Sequence, residues 1–198
     1  MHLALLLFLL FDNRFWETLE PRSWTDEQLL IMLTDSPWAQ TTRMRDTAPL
    51  PVYLATAKPA RLAEAELERR YSAQTQGKPA DDTAKLEYQA FLRENEGKVI
   101  ILAVRNPNRK ALAQAEESRM MEEESFMKAG KKKFRMTGHL PPGESDPVLR
   151  LVFPRPTAQG KELGKDLTFE LYLPGVTGPY RQASFPIKDL LYQGKLEM

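Results

Sequence analysis

The sequence predicts an α+β fold, with a helix-rich N-terminal half packed on a mostly antiparallel sheet formed by the C-terminal half. Three observations carry this expectation. Apolar residues recur at helical spacing up to about Glu96, and after Ser125 they alternate with period two. No long Gly/Ser or Pro linker divides the chain. With 42% hydrophobic and 28% charged residues in 198, one substantial core is within reach. The expected organisation is an apolar segment over residues 1–11 and a single α+β domain over 12–198.

The first element after that segment is a helix beginning at Thr25. Thr25 and Gln28 have capping-box spacing, Trp24 and Leu29 have hydrophobic-staple spacing, and Leu29, Leu30, Met32 and Leu33 supply an apolar face. Ser36-Pro37 ends it. A second helix is expected from about Pro59 to Ser72, where Leu62, Ala63, Leu67 and Tyr71 recur among Arg and Glu. The loop Gln76 to Asp82 separates it from a third, about Thr83 to Glu94, which Gly97 stops.

Val99 to Val104 is apolar at every position and predicts a central strand covered on both faces. A helix from about Arg109 to Glu124 follows. Three alternating runs then predict strands with one face buried, centred on Leu149 to Phe153, Leu167 to Leu173 and Ala183 to Ile187. Gly175 and Gly178-Pro179 between the last two indicate a hairpin with a loop longer than two residues.

Residues Met1 to Phe11 hold one polar side chain, His2, and are followed by Asp12, Asn13 and Arg14. Eleven helical residues reach about 16 Å, short of the roughly 30 Å hydrocarbon core, so the run does not span a bilayer alone. Its length suits the h-region of a signal peptide, although no Lys or Arg precedes it. The other reading is a buried first element of the domain. Export, if it occurs, leaves no stable transmembrane anchor after processing, and the absence of Cys excludes a lipoprotein.

Net charge is +1, which favours no polyanionic partner in bulk, and nucleic acid is not the expected ligand. The halves differ: 11 basic and 15 acidic residues in 1–97 stand against 17 and 12 in 98–198. The lack of Cys and the presence of only two His exclude thiol catalysis, disulfides and the common zinc sites. No metal or cofactor is expected. His139 is the one histidine outside the N-terminal run, in the turn-like Gly138-His139-Leu140-Pro141-Pro142-Gly143. Gly160 to Lys165 resembles a phosphate loop only superficially, and a flexible surface loop is expected there. The carboxylate pairs Asp81-Asp82 and Glu116-Glu117 and the run Glu122 to Glu124 read as solvated faces and loops.

Two features remain as candidate sites. Lys128, Lys131, Lys132, Lys133 and Arg135 place five cations in eight residues around Gly130, flanked by Phe126 and Phe134. This is either an anion-binding turn or a lysine-rich edge strand that deters aggregation. Trp16, Trp24 and Trp38 are clustered in sequence and form either a packing knot or an aromatic contact surface. On the second reading, Trp16, Ser36, Pro37 and Trp38 would meet the partner.

The string Trp24-Thr25, then Leu33-Thr34-Asp35-Ser36-Pro37-Trp38-Ala39, followed by Pro51-Val52 and an Ala-rich helix, resembles a pattern in exported proteins of acidobacteria. The ending Phe185 to Glu197 is similar to the close of the same group. The resemblance implies a signal-bearing, extracytoplasmic (periplasmic or secreted) domain and supplies no activity, cofactor or catalytic residue. The resulting expectation is an exported, non-enzymatic binding or envelope-associated module, its partner an envelope protein, peptide or glycan. The alternatives are a carboxylate- and His139-assisted hydrolase or lyase, and an anionic-polymer binder acting through Lys131 to Lys133.

Overall fold

Thr25 opens its helix as the local sequence requires. In the computed structural model, which describes residues 14–42, 48–74, 83–144, 146–157 and 160–198, its hydroxyl accepts from Gln28 N at 3.1 Å while the Gln28 side chain accepts from Thr25 N at 2.9 Å. The apolar segment 1–11 lies outside the described residues, as does the whole loop expected over 76–82 with its pair Asp81-Asp82. The chain begins with a one-turn helix α1 (Phe15–Thr18), then α2 (Asp26–Met32), and two short strands, β1 (Ala39–Thr41) and β2 (Pro51–Leu54). Helices α3 (Lys58–Gln74) and α4 (Thr83–Glu94) precede the central strand β3 (Val99–Arg105). Gly97, at φ +72°, turns the chain out of α4.

The helix expected over 109–124 is two helices, α5 (Arg109–Leu112) and α6 (Ala115–Glu124). Asn108 caps the first by accepting from Ala111 N, and the Ser118 hydroxyl bonds the Leu112 carbonyl across the break. Strands β4 (Phe126–Ala129), β5 (Lys132–Arg135), β6 (Gly138–Leu140), β7 (Val148–Pro154), β8 (Asp166–Tyr172) and β9 (Tyr180–Pro186) follow, and a small hairpin, β10 (Leu191–Tyr192) and β11 (Lys195–Leu196), comes last.

The larger strands form two antiparallel sheets, ordered β1-β2-β3-β7-β6 and β5-β4-β8-β9. Most strand residues fall in the C-terminal half, as the alternation predicts, and β3 is central, as its unbroken apolar run predicts. The two sheets face each other through Phe153, Phe169 and Phe185, edge-to-face at 5.2 and 5.8 Å. Helices α3 and α4 cover the other face of the five-stranded sheet, through Glu64 and Tyr88. Strand β7 is therefore buried on both faces, whereas its alternating sequence predicts one. The segment 160–165 also departs from expectation: Gly160–Leu163 is a 3-10 turn, and Leu163 is buried beside the hairpin rather than sitting in a solvated loop.

Candidate functional site

The basic residues are brought together by a two-residue hairpin turn. Gly130 takes φ +59°, the geometry a tight β-hairpin demands at its first central position. Its tip lies against the 160–164 turn so closely that a Cβ on Gly130 would sit 2.2 Å from the Glu162 carbonyl oxygen. The hairpin is thereby fixed to the sheet at its tip. β5 is an edge strand; Lys132, Lys133 and Arg135 are exposed on it, and Lys131 is exposed in the turn before it.

Cross-strand register aligns two rows over the solvent face: Arg135, Phe126, Glu170 and Gln182, then Lys133, Lys128, Thr168 and Ser184. Lys128 bonds Glu170 at 2.5 Å, and Lys133 reaches the same carboxylate at 3.7 Å. The hydrogen bond from Lys128 holds the Glu170 carboxyl below the usual carboxylate range. Lys133 also stands over the Phe126 ring at 3.7 Å, with the Arg135 guanidinium at 5.8 Å. Among the described residues, Lys131, Lys132 and Arg135 have no carboxylate partner. The arrangement is a half-buried aromatic ring flanked by cations at an open sheet edge.

The tryptophans are placed differently. Trp38 is 0% exposed and Trp24 1%, and Trp16 retains only 9%. Phe15 packs edge-to-face on Trp16 and Trp24, Trp16 on Trp38, and Trp38 on Tyr192. The Ser36 hydroxyl donates to the Met32 carbonyl and accepts from Trp38 N, and Pro37 is half-buried. Trp38 and Ser36 are enclosed in the core and Trp16 nearly so, a setting that serves packing, while Pro37 keeps part of its surface.

A second polar constellation has no signature in the sequence. Tyr53 on β2, Ala103 on β3 and Arg150 on β7 share one row under the helices. The Tyr53 hydroxyl donates to Glu64 at 2.6 Å, and Arg150 donates to Glu64 at 3.2 Å and to Asp146 at 2.5 Å. The guanidinium lies 3.7 Å from the Tyr88 ring centroid. Burial raises the Glu64 pKa, more than Arg150 and Tyr53 lower it. Burial also works against the charge on Arg150, but Glu64, Tyr88, Tyr53 and Asp146 together raise its pKa. With Arg150 5% exposed, the cluster ties α3 and α4 to the sheet and offers no open surface for a reactant.

His139 lies on edge strand β6 rather than in a turn, and its Nδ1 is 3.0 Å from Glu122 on α6. A carboxylate orients the imidazole there as in general-base pairs. His139 lines neither the 10 Å³ apolar crevice at Leu50, Val104 and Leu173 nor the open 540 Å³ groove at Pro21, Leu62 and Arg69. Three of the other α6 carboxylates have structural partners: Glu116 and Glu123 grip Arg119, and Glu117 accepts from Tyr172. No group of three potential metal ligands occurs, and no helix is long and apolar enough to cross a membrane, among the described residues.

Compared with family models, curated proteins and solved structures, the chain gives no match to any of them.

Proposed function

We propose that the chain is a non-enzymatic binding module that engages an anionic polymer at the β4–β5 hairpin. The observation that carries this reading is the exposure of Lys131, Lys132, Lys133 and Arg135 along the turn and edge strand of one hairpin, three of them without a carboxylate partner among the described residues. Cations that neutralise no carboxylate among the described residues can neutralise a ligand, and the Phe126 ring beside Lys133 and Arg135 adds an apolar surface. Such binding weakens as salt screens it. The protein is expected to be retained on a heparin matrix at low ionic strength, and the triple variant Lys131→Ser, Lys132→Ser, Arg135→Ser to elute at clearly lower salt. Absence of retention, or identical elution of the two proteins, rejects the hairpin as the site.

The apolar run over residues 1–11 supports export of this module, to the periplasm or beyond. Expressed with that run in a diderm host, the protein is expected in the periplasmic fraction with an intact mass shortened near Asp12. A cytosolic product of full mass rejects export.

A further inference from the structure

The hairpin register fixes which backbone groups of β5 are unused. Ala129 and Lys132 flank the two-residue turn and form a hydrogen-bonded pair, and the bond from Met136 N to Ser125 O, at 3.2 Å, shows the same phase four residues on. Hydrogen-bonded pairs therefore fall at 129 with 132, 127 with 134 and 125 with 136. Lys133 and Arg135 sit in the alternate pairs, so their N–H and C=O groups point away from β4, along the open side of the edge. Their side chains emerge on the solvent face, beside Lys128 and Phe126.

We infer that the β5 edge accepts an extended acidic segment of a polypeptide as an added antiparallel strand, bonded to the backbones of Lys133 and Arg135. The inference rests on the anion-binding reading above and narrows its ligand. Donors and acceptors alternating at strand spacing are matched by a peptide backbone, whereas a polysaccharide or nucleic acid would use the charges alone. On an added strand, alternate side chains lie directly beside Lys133 and Arg135, where carboxylates are favoured and cations repelled. The same lysines that discourage pairing with neutral or basic edges thus select an acidic one.

The decisive comparison is Lys133→Pro against Lys133→Ala. Both lose the same charge, but only proline also loses the outward N–H, at an edge position where it breaks no bond to β4. The probe is an alternating Glu-Thr peptide, with a heparin fragment and a single-stranded oligonucleotide as comparators. Peptide affinity is expected to fall about threefold in the alanine variant and by a further factor on the order of ten in the proline variant. Heparin affinity should be the same for both. In the unmodified protein, bound peptide should slow amide exchange at Lys133 and Arg135, a readout that survives if the proline variant does not fold. Equal peptide binding by the two variants, unprotected amides, or binding of heparin or oligonucleotide without peptide would overturn strand addition while leaving the anion-binding reading intact. No binding of any probe would remove both.

Discussion

Glu64 and Glu66 stand two residues apart on one helix and are pushed in opposite directions. Glu66 is gripped by Arg69 at 2.9 and 2.7 Å and by Arg70 at 2.8 Å, and these hydrogen bonds bring its pKa down to about 2. Glu64 faces the sheet, where burial raises its pKa although Arg150 lies alongside. The difference defines what Arg150 does: it makes a half-buried carboxylate tolerable against the sheet. Substituting Arg150→Met leaves Glu64 and Asp146 without their cation and should cost about 3–5 kcal/mol. The sign of the pH dependence follows from Glu64. Without Arg150 its carboxyl holds a proton more tightly in the folded chain than in the unfolded one, whose carboxyl titrates near 4.5. The folded variant then binds more protons than the unfolded, so its stability falls as pH rises above that value. Urea unfolding should show a larger deficit against the parent at pH 8 than at pH 5. Equal deficits at both would mean that Arg150 acts by packing alone.

At the scale of elements, legibility followed how local each cause was. The start of α2 could be read from four side chains because its causes lie within one turn: Thr25 and Gln28 cap each other, and Trp24 and Leu29 on either side of the box are both buried. The third helix was legible from end to end, β3 from its unbroken apolar run, and β7 to β9 from alternation. What escaped was decided by distant partners. β1 and β2 are three and four residues long and exist because β3 supplies an edge to pair with. Arg150 looks like the solvent-facing member of an alternating strand until α3 and α4 close over it, and its partners at 53, 64, 88 and 146 have no shared spacing. The basic cluster, and an edge strand as one of its two possible settings, could be read from the sequence; its unused backbone groups could not. Sequence proximity also drew the three tryptophans together correctly but left open whether they faced in or out, since an aromatic cluster serves either purpose.

For the whole molecule, that buried cluster joins the two ends of the described chain. Trp38 Nε1 donates to the Glu197 carbonyl at 2.9 Å, and its ring packs on Tyr192. The Glu197 carboxylate accepts from Lys58 N at 3.1 Å, where α3 begins, and Glu17 on α1 accepts from Gln193 N. Arg155, just past β7, donates to the Met198 carbonyl oxygen. The last hairpin thus closes over the first helices, and Trp38 is the side chain on which both pack. One cluster of buried apolar residues runs from Phe15 to Met198, so loosening this junction should not release one half while the other stays folded. Trp38→Ala removes a large, fully buried ring and its hydrogen bond, and should cost about 3–5 kcal/mol. Because Trp16 and Trp24 remain as fluorescent reporters near the junction, and the strands of the C-terminal half dominate the sheet signal in circular dichroism, the two probes view different regions. They should report one coincident transition, displaced to lower denaturant with an unchanged slope. A two-step curve, in which the tryptophan signal departs first, would mean that the N-terminal knot is a separable unit docked on an independently stable sandwich.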